Sequence, residues 1–167
     1  RMQFMFTQTA QYYDKFYSFK DYPAEVEKLN RLIRPYLQPG QHSLLDVACG
    51  TGRHLEYLQD HFAVEGLDLD GNLLEIAGER LPGITFHQAD METFSLGRSF
   101  GVITCLFSSI GYLKTIQRVT NACRNMANHL NPGGVLVIEP WFTPDQWRPG
   151  QVHAMLVEEP ELKLARM

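Results

Sequence analysis

One segment constrains this chain more than any other: Leu44-Leu45-Asp46-Val47-Ala48-Cys49-Gly50-Thr51-Gly52-Arg53-His54-Leu55. An apolar run ends beside an acid, passes into a turn with two glycines and continues as a helix. Glycine suits such a turn because the backbone must take conformations other residues resist and must approach a ligand closely. Alone, the pattern fits any tight strand-to-helix turn. Two more acids give it direction. Asp68, after Gly66-Leu67, and Asp90, in Gln88-Ala89-Asp90-Met91, follow Asp46 at equal intervals. An interval of about 20 residues is one strand-helix-strand step. Each acid falls at the C-terminal end of a predicted strand, and in open α/β sheets those ends form the ligand crevice.

The rest of the chain follows the same alternation. Apolar runs at 43–47, 62–67, 84–87, 100–107 and 135–139 read as buried parallel strands. Between them, helices are predicted from the glycine turn through Gln59, over 72–80 and over 116–130. The last is closed by Asn131-Pro132-Gly133-Gly134. Upstream, Pro23 suits the first turn of a helix in which Val26, Leu29, Ile33 and Tyr36 form one apolar stripe. Residues 4–22 are crowded with aromatics. Residues 140–167 are proline-rich, with a candidate strand at 152–158 and no long helix. Alternating strands and helices predict an α/β fold, with helices packed on both faces of a parallel sheet. We divide the chain into an aromatic lid segment (1–22), a nucleoside-binding core (23–140) and the start of a further region (141–167).

Composition narrows the function. The chain has 167 residues, a net charge of −4 and 20% charged residues, which suits one folded domain. That acidic balance argues against a phosphate backbone as main partner, so no nucleic acid is expected. No apolar stretch approaches the roughly 20 residues that span a bilayer, so no membrane is expected. Cys49, Cys105 and Cys123 make an odd count without a CxxC pair. They read as reduced thiols of a cytoplasmic protein. His54 and His61 lack further ligands in a zinc-like spacing, so no metal is expected.

The acids and glycines together point to a nucleoside. An acid at the tip of the second strand can accept both ribose hydroxyls. Three residues after Gly52 stands Leu55, so the third glycine of a dinucleotide fingerprint is missing, which disfavours a nicotinamide-dependent oxidoreductase. The lysine of a P-loop is also missing. The pattern Asp46-Val47-Ala48-Cys49-Gly50-Thr51-Gly52 resembles motif I of class I S-adenosylmethionine (SAM)-dependent methyltransferases, a Rossmann-like, three-layer αβα fold. Further segments are similar to one group within it: Tyr13-Asp14, Lys20-Asp21-Tyr22, His87-Gln88-Ala89-Asp90-Met91, Leu96-Gly97-Arg98, Phe107-Ser108-Ser109-Ile110-Gly111-Tyr112-Leu113 and Val137-Ile138-Glu139-Pro140-Trp141. That group is the dTDP-amino-sugar N,N-dimethyltransferases of macrolide sugar biosynthesis, of the desosamine and mycaminose type. The resemblance covers nearly the whole chain.

The resemblance implies SAM as cofactor and a set of roles. Asp46, Ala48, Gly50 and Gly52 would line the methionine moiety. Asp68 would take the ribose hydroxyls, at a position where the sugar enzymes look to have Glu. Leu69 would flank the adenine, and Asp90 and Met91 would hold its amino group and ring face. Leu106 would lie under the cofactor, and Tyr13 and Tyr22 would close over its methionine end. Arg53 reads either as a partner of the cofactor carboxylate or as a solvated helix arginine. Tyr112 is the candidate catalytic residue beside the acceptor, or a packed structural tyrosine. Glu139 would meet a cationic amine or cap the next turn. Trp141 and Trp147 would roof the acceptor or cover the fifth strand.

The expected reaction is methyl transfer to the amine of a small molecule, with a nucleotide-linked amino sugar leading. The alternatives are another small metabolite and a SAM-binding module without catalysis. A neutral amine is already a nucleophile, so alignment carries much of the rate and no strong base is required. The resemblance also implies a seven-stranded sheet. Strand five ends near Glu139, and the residues after it are too few for two more strands and a helix. The expectation is a fold lacking its C-terminal strands, as a piece of a longer protein or one completed by a partner chain. A homodimer is one such arrangement.

Overall fold

Five parallel strands carry the molecule, in the order β3-β2-β1-β4-β5. In chain order the elements are α1 Ala10–Phe16, α2 Tyr22–Ile33, β1 Ser43–Val47, α3 Leu55–Leu58, β2 Ala63–Asp68, α4 Gly71–Arg80, β3 Thr85–Gln88, β4 Phe100–Cys105, α5 Ile116–Asn128 and β5 Leu130–Ile138. An antiparallel hairpin follows, with strands β6 Met155–Glu159 and β7 Leu162–Arg166. This computed structural model describes residues 10–141, 145–146, 148, 150 and 155–166. Among them, no helix is long and apolar enough to cross a membrane.

The central strands β1 and β4 are buried on both sides because both faces are covered. Successive residues point to opposite faces of a strand. Leu44 and Val102 therefore join Val26, Ile33, Leu55 and Leu58 in one buried cluster, under α2 and α3. Their neighbours Leu45 and Ile103 join Val47, Leu67, Ala122 and Met126 in the other, under α5. The result is the expected helix–sheet–helix sandwich. The chain order reverses between β1 and β4, so the crevice at the C-terminal ends of these two strands is the switch point where open α/β sheets bind ligands.

Local chemistry accounts for the helix starts. The Asp21 carboxylate accepts the Ala24 N–H at 3.0 Å, with Pro23 in the first turn of α2. Asp70 accepts the Asn72 N–H at 2.9 Å to start α4.

Four details differ from the sequence reading. Tyr36 is 67% exposed instead of lying on the α2 stripe. Pro35 ends the α-helix and turns the chain into a 3-10 segment, Arg34–Tyr36, which breaks the 3.6-residue period. The helix after the glycine turn is one turn only, because the loop continues to His54. Asn131 to Gly134 do not precede β5 but lie inside it. Phe100 pairs with Leu130 and Val102 with Val135, so these residues bulge out of the ladder, with Gly133 at φ 72°. The sequence does not show β7; of the strand expected at 152–158, residues 155–158 fall in β6 and 152–154 lie outside the described residues.

Candidate functional site

The turn after β1 has Ala48, Gly50 and Gly52 all left-handed, with φ of 60°, 56° and 76°. That sequence of conformations turns the chain back on the strand end, where the Cys49 N–H donates to the Leu67 carbonyl and the Gly52 N–H to the Cys49 carbonyl, each at 3.0 Å. Gly66, on the neighbouring strand, makes room for it. A Cβ there would fall 2.6 Å from the Phe86 ring and 2.8 Å from Cys49 Sγ. Cys49 thus fills space under the turn. Burial holds its thiol well above the ordinary value, so it is no thiolate nucleophile.

The acids at the strand ends have distinct environments. Asp46 is 2% exposed, and its Oδ1 accepts the hydroxyl of Thr104, which is fully buried, at 2.7 Å. Burial pushes the Asp46 carboxyl up to about 6. Asp68, 9% exposed, bridges two turns: Oδ2 accepts the Gly50 N–H at 2.8 Å and Oδ1 the Asp70 N–H at 2.9 Å. Burial raises its pKa, and these backbone donors work against the rise. Each carboxylate oxygen keeps a second lone pair. Asp90 accepts the Glu92 N–H at 2.8 Å, and the Ala89 N–H donates to the Asp68 carbonyl at 3.0 Å, which keeps the loop after β3 alongside.

The N-terminal segment lies over this turn. Asp14 accepts the Thr51 hydroxyl at 2.7 Å and pairs with Arg80, which also donates to the Thr51 carbonyl. Tyr22 meets His54 edge-on at 5.0 Å, and the Arg53 guanidinium sits 5.0 Å over its ring. Burial, followed by the Asp14 charge, raises the Tyr22 hydroxyl to about 12, so it stays protonated. Glu25 takes His54 at 3.0 Å on one oxygen and Lys20 at 2.9 Å on the other. Those bonds, led by that of His54, lower the Glu25 pKa.

Of the residues picked from the sequence, Tyr22, Asp46, Ala48, Gly50 and Leu106 line one small open pocket at the switch point. Arg53, His54, Phe107 and Ser109 complete much of its wall. Gly52, Asp68, Leu69, Asp90 and Met91 do not line that pocket; a Cβ on Gly52 would meet Ala77 of α4 and Leu81 just after it. Leu69 is 45% exposed, and Met91 packs against the α5-side core. Tyr112 sits in a 3-10 turn, Ser109–Leu113, partly exposed and outside the pocket lining. Tyr13 belongs to α1, but its side chain lies outside the described residues, as do Trp147 and His153. Trp141 is 55% exposed and stands next to Gly111. Among the described residues, no group of three or more His, Cys, Asp or Glu side chains could hold a metal.

Sequence reasoning missed Thr104, Asp14, Arg80, and the Lys20–Glu25–His54 series. Thr104 had a signal: it is the one hydroxyl within the run Val102-Ile103-Thr104-Cys105. The others act across distances that spacing does not reveal.

A profile of the methyltransferase domain family matches residues 44–134. The chain is 45% identical over 161 residues to the dTDP-3-amino-3,4,6-trideoxy-alpha-D-glucopyranose N,N-dimethyltransferase of Streptomyces venezuelae, covering 95% of this chain and 68% of that protein. It is 48% identical over 140 residues to the dTDP-3-amino-3,6-dideoxy-alpha-D-glucopyranose N,N-dimethyltransferase of Streptomyces fradiae, covering 83% of this chain and 54% of that one. Among solved structures, SAM-bound CalS10, an amino pentose methyltransferase of Micromonospora echinaspora, superposes with a TM-score of 0.80 at 42% identity, covering 87% of this chain and 62% of that one. The chain thus spans 54% to 68% of the length of these proteins.

Proposed function

Because the chain belongs to the class I SAM-dependent methyltransferase family, we propose that it carries the cofactor-binding part of an enzyme that methylates the amine of a dTDP-linked amino sugar. The observation that carries this reading is Asp68. It is tied to the glycine turn through the Gly50 N–H and keeps lone pairs on both oxygens at the strand-end crevice. Those lone pairs suit two ribose hydroxyls.

The other roles follow from position. The adenine lies toward Leu69, Asp90 and Met91. The methionine end enters the pocket between Asp46, Ala48, Gly50 and Tyr22, over Leu106, with Gly52 shaping the turn behind it. Tyr112 belongs to the acceptor side. Bound SAM would supply a methyl group activated by its sulfonium, which the amine lone pair would take as the carbon–sulfur electron pair stays on sulfur. The ammonium product then loses a proton to water. The protein's part is to hold nitrogen, carbon and sulfur in line, which is where orientation supplies most of the rate. The Tyr22 hydroxyl, raised to about 12, stays protonated and acts as a hydrogen-bonding group and not as a base.

Calorimetry with SAM and S-adenosylhomocysteine (SAH) tests the cofactor, and methyl transfer to dTDP-3-amino sugars against free amines tests the acceptor. Binding of both nucleosides is expected, with turnover on the nucleotide sugars. Absence of binding at high micromolar concentration removes the reading.

Arg53 offers a finer check. Arg53 lines the pocket, its guanidinium stands over the Tyr22 ring, and one nitrogen donates to Glu56 at 3.1 Å. Arginine has five donors, so several remain for the methionine carboxylate. Arg53→Ala is expected to weaken SAM and SAH about tenfold and to leave 5′-methylthioadenosine, which has no carboxylate, unaffected. Equal losses for all three ligands would remove Arg53 from this role.

A further inference from the structure

Two consecutive residues other than glycine take left-handed backbone at the end of β4: Phe107 with φ 54° and Ser108 with φ 59°. L-residues resist this region because Cβ crowds the carbonyl oxygen, and such conformations persist where the surroundings over-determine them. Two contacts from the end of β5 do so here. Oε2 of Glu139 accepts the Phe107 N–H at 2.6 Å. The Ser108 hydroxyl donates to the Pro140 carbonyl at 3.1 Å. Glu139 is itself anchored, since its own N–H donates to the Cys105 carbonyl at 2.9 Å and extends the β4–β5 ladder.

The turn so held presents the Phe107 ring to the N-terminal segment. Tyr17 meets that ring edge-on at 4.8 Å, and Lys20 Nζ stands 3.9 Å over it. Lys20 continues to Glu25, and Glu25 to His54, which lines the pocket together with Phe107. One continuous series of contacts therefore runs from the end of β5, through the left-handed turn, to the N-terminal segment that leads into Tyr22, which lines the pocket.

We propose that Glu139 is a positioning residue: it locks the Phe107–Ser108 turn, and so sets the platform on which the Tyr17 and Lys20 end of the N-terminal segment closes over the cofactor pocket. The proposal rests on reading that pocket as the SAM site. It differs from a purely electrostatic role for the carboxylate, which needs charge and not reach. Locking the turn needs an acceptor atom at the Phe107 amide.

Three variants of the full chain separate the two. Glu139→Gln keeps an acceptor and its reach and drops the charge. Glu139→Asp keeps the charge and loses a methylene of reach. Glu139→Ala loses both. The probe is SAH, whose sulfur is neutral, so that attraction to a sulfonium plays no part. By calorimetry, Glu139→Gln is expected to bind like the wild type, and Glu139→Asp and Glu139→Ala about tenfold more weakly. In the SAH complex, amide hydrogen exchange over residues 14–20 is expected to be faster in the Asp and Ala variants and unchanged in the Gln variant. A general loss of stability would not single out this segment. Wild-type affinity in Glu139→Ala, or a Gln variant as weak as Ala, overturns the proposal. Should the Ala variant not fold, the comparison of Asp with Gln decides. A wild-type chain that fails to bind SAH overturns the cofactor reading along with it, an outcome distinct from one that binds SAH and ignores position 139.

Discussion

Asp68→Ala is expected to weaken SAH binding by about 100-fold. Hydrogen bonds to a charged acceptor contribute about 1.5–3 kcal/mol each, and two ribose hydroxyls would be lost together, so the loss is about 3–6 kcal/mol and a drop of about 100-fold, about 2.7 kcal/mol, is a lower bound. The geometry adds a second effect. The same carboxylate accepts the Gly50 and Asp70 N–H groups, so its removal leaves two donors of the crevice without their partner. Calorimetry gives the affinity, and urea unfolding of the unliganded variant shows how much of the change is a loosened turn. Asp68→Glu separates the two contributions. The longer arm carries the carboxylate away from Gly50 but keeps two oxygens for the ribose, so binding is expected to survive with the turn less firmly held. If Asp68→Ala binds SAH within about threefold of the wild type, Asp68 is not the ribose ligand.

That test bears on how far the sequence could be read. The sheet was legible because buried parallel strands leave continuous apolar runs, and β1 begins and ends where its run does, at Ser43 and Val47. The acids were legible because strand-end positions recur at a fixed interval. The N-terminal helix was not, because seven residues, under two turns, are too few for a helical period to stand out among the aromatics; Asp14 ties α1 to Thr51 and Arg80. Nor was the fate of Asn131-Pro132-Gly133-Gly134. A turn sequence marks a change of direction and cannot say whether the chain then leaves the ladder or rejoins it as a bulge. Site partners were the least visible. Thr104 and Asp46 lie on neighbouring strands, and Phe107 and Glu139 on the next pair of strand ends. Their proximity comes from strand order, which no local pattern carries. Glu139 shows the consequence: the sequence left it between meeting an amine and capping a turn, and the structure shows its carboxylate on the Phe107 amide.

Asp46 is where binding and stability should pull in opposite directions. Its carboxyl is pushed up from an ordinary 3.8 to about 6 in the folded chain, chiefly by burial. Between those values the unfolded chain has already lost the proton that the folded chain keeps. Stability therefore falls as pH rises through this window and stays lower above it. At about 1.36 kcal/mol per unit the deficit is about 3 kcal/mol. Asp46→Asn removes the charge but keeps an oxygen for the Thr104 hydroxyl. The stability of Asp46→Asn relative to the wild type is thus expected to rise by about 3 kcal/mol between about pH 3 and about pH 8, read by urea unfolding at both ends. A relative stability that does not change with pH would mean that Asp46 titrates alike in both states. The same substitution is expected to weaken SAM, which brings a sulfonium and an ammonium toward the pocket, more than 5′-methylthioadenosine, which brings neither. Wild-type affinity for SAM should accordingly rise with pH through about 6, because the positive ligand draws off the proton that the empty pocket retains. A carboxylate buried against its own solvation is a poor way to stabilise a strand end. It is an effective way to hold a cation there, and this is a physical reason for an acid, and not its amide, to stand at the end of β1.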